Sequence, residues 1–437
     1  MSDYMFMLES HLSAEQFRVV AEMQKIAAAA GASLFLTGGA LRDMLGGFPV
    51  RDLDFTVEAN ALKLAKLAGK EGASVVSTDE LRKSLELRFP SGVTAELGSA
   101  HTERFAKSAG KPQVTAATIH EDLKWRDFTV NAIALSLNKA SLGLPIDPTN
   151  GVGDIERKEL RAIHNYSFYD DPSRMLRLIR FKVRLSYTID ERTKLQYENA
   201  REAEMLGKIT AEALGSELRH ISAEPLIGDL MKALEEEKLI ELYLPSLAGA
   251  KLNLGTFAKL QKARQSVPVD FRLNALPLFL VVLMEKLNAK ERSALIKNTL
   301  LTRADVNAWQ RLEPAAKKLE RELKGAKLQK PSQLYQVLVK APGELVLHLI
   351  VYSDQRLVQD RIKNYFQKYL PASLEVTDEM VAAAGVAPGS PKFQRTREQM
   401  ILTRLDARPK KPAPEPEPPP PPPMSSFARG PGPRHPR

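Results

Sequence analysis

Two aspartates one residue apart, Asp52 and Asp54, stand in the run Val50-Arg51-Asp52-Leu53-Asp54-Phe55-Thr56-Val57. On a strand, residues i and i+2 share a face, so the two carboxylates converge while Leu53 and Phe55 face the other way. Neighbouring carboxylates repel unless a cation lies between them. Mg2+ suits such donors, commonly taking one or two carboxylates together with substrate phosphates. Upstream, the apolar run Leu34-Phe35-Leu36-Thr37 leads into Gly38-Gly39 and then Ala40-Leu41-Arg42-Asp43-Met44-Leu45. That order reads as a strand, a tight turn and a helix start. Glycines let the backbone approach a ligand with no Cβ in the way. The helix start offers free N–H groups and the positive end of its dipole to a phosphate, and Arg42 adds a fork of donors. Alone, Asp-x-Asp is a solvated strand end and Gly-Gly is a turn. Close together, with Arg42 and Asp43 between them, they point to phosphoryl or nucleotidyl transfer assisted by metal.

A second group of chemistry-bearing residues lies in Ser167-Phe168-Tyr169-Asp170-Asp171-Pro172-Ser173-Arg174 and the helix it opens. Asp171 is a good N-cap and Pro172 suits the first helical position. At 100° per residue, Met175, Leu176, Ile179 and Val183 share one face. Arg177, Arg180 and Arg184 fall on another, with Arg174 at its edge. An arginine ladder in a chain with a phosphate-binding turn reads as a triphosphate clamp; the alternative is a solvated basic face. Between the two groups, Trp125-Arg126-Asp127-Phe128-Thr129-Val130-Asn131 concentrates polar groups that are unfavourable in a core without partners.

These residues need elements to hold them. Ser13-Ala14-Glu15-Gln16 is a capping-box pattern opening a helix that ends at Gly31. A second helix is expected over 60–70. Three strands are expected in 73–98, with Thr94 and Glu96 sharing a face, so Glu96 is a possible third carboxylate near the pair. Residues 101–118, with Arg104, Lys107 and Lys111 but no clear periodicity, read as a surface loop. From about 190 to 405 the pattern is almost wholly helical. Basic residues in 314–330 form a zone that could meet RNA or simply water.

Composition sets the bounds. The 437 residues are too many for one core, and the formal net charge of +10 permits a polyanionic partner. There is no cysteine, which excludes disulfides, thiolate zinc sites and cysteine nucleophiles. No secretory signal pattern opens the chain and no apolar run reaches membrane-spanning length, so a cytoplasmic protein is expected. Beyond Arg408 the proline-rich composition predicts a disordered or polyproline tail.

The ordered motifs resemble the class II tRNA nucleotidyltransferase and bacterial poly(A) polymerase superfamily. The matching segments are Gly38-Gly39-Ala40-Leu41-Arg42-Asp43, Arg51-Asp52-Leu53-Asp54, Trp125-Arg126-Asp127-Phe128-Thr129-Val130-Asn131-Ala132, Asp147-Pro148-Thr149-Asn150-Gly151 and Asp170-Asp171-Pro172-Ser173-Arg174-Met175-Leu176-Arg177. The resemblance implies an α+β fold: a nucleotidyltransferase head with a small mixed sheet, then an all-α neck, body and tail. Divided along the chain, it gives an N-terminal helix over 1–30, the head over 31–165, the neck over 166–245, an RNA-binding body and tail over 246–405 and the proline-rich segment 406–437.

Site roles follow from the same resemblance. Asp52 and Asp54 would hold Mg2+ as the catalytic pair. Gly39, Arg42 and Arg126 would bind the nucleotide. Asp171 and Arg174 would present a Watson–Crick-like edge to its base, and Arg177 and Arg180 would help hold it and its phosphates. Two departures stand out: Trp125 occupies a position where many members carry Arg or Gln, and Asp170 one where Glu is common. The implied reaction is addition of CCA to a tRNA 3′ end from CTP and ATP, releasing pyrophosphate. The alternatives are a poly(A) polymerase, an enzyme adding only A or only CC, and a catalytically silent RNA-binding protein on this fold.

Overall fold

The computed structural model describes residues 3–268 and 271–407. The expected proline-rich tail therefore lies almost wholly outside the described residues. The chain divides into two compact units, one of residues 1–325 with 340–362 and one of residues 326–339 with 363 onward. The expected head, neck and most of the body fall within the first.

Two helices open the chain, α1 (Asp3–His11) and α2 (Ala14–Ala29), the latter carrying the anticipated capping box of Ser13 with Gln16. The head follows as β1 (Leu34–Thr37), α3 (Gly39–Leu45), β2 (Leu53–Val57), α4 (Ala61–Lys70), β3 (Ser74–Asp79), β4 (Ser84–Arg88) and β5 (Thr94–Ser99). Next come β6 (His101–Phe105), β7 (Pro112–Ala116), α5 (Ile119–Lys124), β8 (Ala134–Ser136), β9 (Pro145–Ile146) and α6 (Gly151–Arg157). Seven strands form one mixed sheet in the order β3-β4-β5-β2-β1-β8-β9, with β2 and β5 parallel.

Period-two alternation sorts the faces of this sheet. Leu34, Leu36, Leu53, Phe55, Val57, Leu85, Leu87, Ala95 and Leu97 all join one buried cluster with α2 and α4. On the opposite face, Phe35 and Ala134 join a smaller apolar cluster with Ile119 and Leu123 of α5, and Thr37, Asp54, Thr56 and Glu96 supply polar side chains.

Residues 101–118 correct the sequence reading: they are not a loop but the hairpin β6–β7, a separate two-stranded sheet. Its strands are short and wet on most of their surface, so no alternation marks them. Long-range contacts hold it. Glu103 pairs with Arg82 (2.7 Å), and the Ala109 N–H at its tip donates to Tyr169 O (2.8 Å).

The helices that follow are α7 (Ser167–Asp170), α8 (Arg174–Leu185), α9 (Glu191–Glu202), α10 (Ala211–Ala223), α11 (Ile227–Glu236), α12 (Leu254–Gln265) and α13 (Ala275–Leu283). Helix α8 starts at Arg174, two residues later than the proline suggests. Asp171 accepts from the Ser173 N–H (3.0 Å) and so turns the chain just ahead of the helix. The apolar α13 is buried among the long α15 (Arg303–Lys324), which follows α14 (Ala289–Asn298), and α17 (Gly343–Tyr352), which follows α16 (Pro331–Lys340). In the second unit, Ser332 donates its N–H and hydroxyl to the Asp406 carboxylate (2.9 and 2.7 Å). Among the described residues no single helix is long and apolar enough to cross a membrane.

Candidate active site

A cleft of about 1190 Å3 opens on the polar face of the head sheet and extends to α8 and α10. At its floor, Gly38 has φ +64° and ψ −125°, a conformation essentially restricted to glycine. This turn directs the Gly39 N–H to Asp54 Oδ2 at 3.1 Å. A Cβ on Gly38 would stand 3.1 Å from that oxygen and 3.2 Å from Arg126 Nη1. Strand β2 begins at Leu53, so Asp52 lies just ahead of it; both aspartates line the cleft while Leu53 and Phe55 are buried behind.

Parallel pairing sets Asp54 opposite Glu96 on β5, and antiparallel pairing sets Glu96 opposite Glu86 on β4. Three carboxylates thus stand in a row across adjacent strands. Burial, then Glu96, then Asp52 push the Asp54 carboxyl up to about 7, against the Gly39 N–H and the Arg126 guanidinium. Burial likewise raises Glu96. Like charges held this close, away from bulk water, suit a bound cation. Among the described residues no three His, Cys, Asp or Glu side chains form a complete metal cage. Asp52 and Asp54 therefore fit a divalent ion that takes its remaining ligands from a substrate, as Mg2+ does with phosphates.

Arg126 crosses the cleft wall. Its Nε and Nη2 donate to Asp122 Oδ1 (3.0 and 2.9 Å), and Nη2 also reaches Thr56 Oγ1 (3.0 Å). Nη1 points at the Gly38 turn and has no hydrogen bond among the described residues, which leaves it for a ligand.

At the far wall, Asp171 Oδ2 lies 3.7 Å from Arg174 Nε, and about a third of the Asp171 side chain is exposed. Arg174 is fixed by Ser167 Oγ (2.9 Å) and the Trp125 carbonyl (3.3 Å). The unusual Trp125 ring rests against His164 with centroids 4.9 Å apart.

The arginine ladder lines the cleft and is at the same time a set of ion pairs. Arg177 donates from Nε to Asp127 Oδ2 (2.8 Å) and from Nη1 to Glu217 (3.4 Å). Arg180, 5 % exposed in its side chain, is closed off by Glu217 (3.0 Å) and Glu224 (3.1 Å). Arg184 bonds Asp43. Arg42 is also buried, with Nη2 on Asp43 (2.8 Å) and Nη1 on Asn131 (2.6 Å), and Asn131 donates back to Asp127 (2.9 Å). The guanidiniums of Arg42 and Arg180 line the cleft and are also paired with protein groups, which fix α8 against α3 and α10. Burial resists the charge on Asp127, but Arg177, Asn131 and Arg174 hold its carboxyl well below the usual range.

Sequence reasoning missed Asp43, Glu217 and Glu224 as the partners of the ladder. One signal was available: Glu217 and Glu224 are seven residues apart, as are Arg177 and Arg184, so two helices could present matched charges two turns apart.

Known proteins resemble this chain over the head and beyond it. Residues 34–161 match the poly A polymerase head domain family. Over 230 residues, 52% of each chain, the protein is 31% identical to an A-adding tRNA nucleotidyltransferase of Halalkalibacterium halodurans. Over 362 residues, 76% of this chain and 86% of the relative, it is 27% identical to a CCA-adding enzyme of Lactobacillus delbrueckii subsp. bulgaricus. A solved CCA-adding enzyme in an apo form has the same fold, with a TM-score of 0.54, 24% identity, and coverage of 94% of this chain and 96% of the other. The matches span from 24% to 52% of the length of three A-adding relatives.

Proposed function

We propose that the chain is a member of the superfamily of class II tRNA nucleotidyltransferases and bacterial poly(A) polymerases, a reading supported by its head-domain match and its relatives, and that with a divalent metal it adds nucleotides without a template to the 3′ end of tRNA. The substrates are CTP and ATP, the product is a CCA end, and pyrophosphate leaves. Asp52 and Asp54 hold Mg2+, with Glu96 beside them. Bound there, Mg2+ lowers the pKa of the RNA 3′-hydroxyl and offsets charge on the triphosphate.

The chain's own groups do the rest. The Gly38-Gly39 turn lets the triphosphate approach the backbone, and Arg126 Nη1 donates to it. Asp171 accepts from an exocyclic amino group while Arg174 donates to ring acceptors, a pattern that C and A share. Arg177 borders the nucleotide, and Arg42 and Arg180 act behind it as positioning residues. The basic faces of the helical body meet the tRNA, and the reaction belongs to the cytoplasm.

One observation carries the reading: the Asp54–Glu96 pairing, with Asp52, the Gly38 turn and the unpaired Arg126 Nη1 on a single cleft. A second reading, addition of A alone, is favoured by the A-adding relatives. Incubating the purified protein and Mg2+ with tRNA lacking its 3′ end, in CTP, ATP or both, separates them. CCA addition requires both nucleotides, whereas A addition requires only ATP on a tRNA already ending in CC. A long A-tail on unstructured RNA would instead indicate a poly(A) polymerase. No pyrophosphate from any RNA, despite tight tRNA binding, would overturn the catalytic reading.

A further inference from the structure

The hairpin β6–β7 brings a histidine to the cleft wall. The His101 backbone N–H donates to Asp122 Oδ2 (3.1 Å). Its Nδ1 lies 2.8 Å from Ser99 O and 3.7 Å from Asp122 Oδ2, and its Nε2 lies 3.7 Å from Glu103 Oε1. A carbonyl oxygen only accepts, so Nδ1 carries a proton in either charge state and the titrating proton arrives at Nε2, facing Glu103. Asp122 is divided between two cations. Its Oδ2 faces His101, and its Oδ1 receives Nε and Nη2 of Arg126. His101, Asp122 and Arg126 therefore form a chain from the hairpin to the guanidinium beside the Gly38 turn, and all three line the cleft.

We propose that His101 is a positioning residue for the incoming nucleoside triphosphate, acting through Asp122 on Arg126. As an imidazolium it takes a share of the Asp122 charge, loosening the hold on Arg126 and adding a positive charge to the wall an anionic ligand approaches. As a neutral ring it leaves Asp122 to Arg126 and the wall more negative. Nucleotide affinity accordingly falls as pH rises through the His101 titration.

The charged groups around the ring give this direction. Glu103 on β6 and Asp122 on α5 face it, with Arg82 beyond Glu103 and Arg126 beyond Asp122. Its neighbours Ser99 on β5 and Ala116 on β7 carry no charge. Burial opposes the charged ring, but Glu103, the Ser99 carbonyl and Asp122 outweigh it and raise the pKa above the ordinary 6.5.

The inference rests on the nucleotidyl-transfer reading, and the test keeps the two apart. CTP and ATP affinity is measured by calorimetry with Mg2+ from about pH 6 to about pH 9, the range in which histidine titrates, for the full-length protein, His101→Gln and His101→Arg. Thermal melts check that each variant folds. The nucleotide's own titration is common to all three, so differences between the curves report on the protein. Wild-type affinity should fall about fourfold more than that of His101→Gln, the effect of one charge acting over about 10 Å through a wetted wall. His101→Arg should bind tightly throughout and His101→Gln weakly throughout. Parallel curves for wild type and His101→Gln would overturn the role of His101 while leaving nucleotidyl transfer standing. A wild-type protein that binds no nucleotide would overturn both.

Discussion

Replacing Asp54 with Asn removes a charge that the carboxylate row disfavours in the absence of a cation, so the variant should be more stable than the parent at alkaline pH in chelator while losing activity. The folded-state pKa is about 7 against an ordinary 3.8. A gap of about three pH units corresponds to about 4 kcal/mol at ~1.4 kcal/mol per unit. The sign follows from linkage. Between those two pH values the folded protein keeps a proton that the unfolded chain has lost, and above the higher value both forms are ionised and the full penalty applies. The gain of the Asn variant should therefore be largest near pH 8, shrink to roughly 1.5–2 kcal/mol near pH 5, and vanish below about pH 4. Partial solvent access to Asp54 reduces each figure, so roughly half is a reasonable expectation. Asn keeps an oxygen for the Gly39 N–H, which confines the comparison to charge. Urea unfolding of both proteins in chelator at pH 5 and pH 8 measures it, since groups remote from Asp54 titrate alike in the two and their contributions cancel. Added Mg2+ should then stabilise the parent and not the variant. An Asn variant that is less stable than the parent at pH 8, or whose advantage is the same at both pH values, would refute the account of a repelling carboxylate row.

The charge zipper and the turn give two further tests. Arg180→Met leaves buried Glu217 to Arg177 alone and buried Glu224 to longer contacts with Arg51 and Arg184, and should lower stability by about 3 kcal/mol, seen as a shifted denaturant midpoint; a direct phosphate contact would instead raise the nucleotide KM with little loss of stability. Gly38→Ala forces a strained backbone and places a methyl against Asp54 and Arg126. It should cost about 1–3 kcal/mol and lower incorporation by about a hundredfold, whereas incorporation at the parent rate would show that the turn does not shape the site.

Much of the head was legible because its signals are local. The alternation that buries Leu53, Phe55, Leu85, Leu87, Ala95 and Leu97 also puts Asp54, Glu86 and Glu96 on the opposite face. The Ser13 capping box opens α2, just ahead of the head, through bonds only three residues long. The hairpin at 101–116 was illegible for the opposite reason: Arg82 and Tyr169, which hold it, are distant in sequence. Spacing alone merges α1 with α2 and does not single out α12 or the helix Pro391–Asp406, since each carries a weakly segregated pattern.

The sequence by itself determined which residue types can meet a phosphate and a cation and which face of each strand or helix they share, because those properties follow from backbone periods of 2 and 3.6 residues. Only the tertiary structure decided which of them remain available. Arg177, Arg180 and Arg184 share a face of α8 by spacing and all line the cleft, yet Arg177 keeps 30% of its side chain exposed while Arg180, paired with Glu217 and Glu224, keeps 5% and Arg184, paired with Asp43, 11%. A buried guanidinium is stable only with carboxylate partners. The chain's packing chooses those partners from segments far apart, and in choosing them it settles which cations are left facing the cleft.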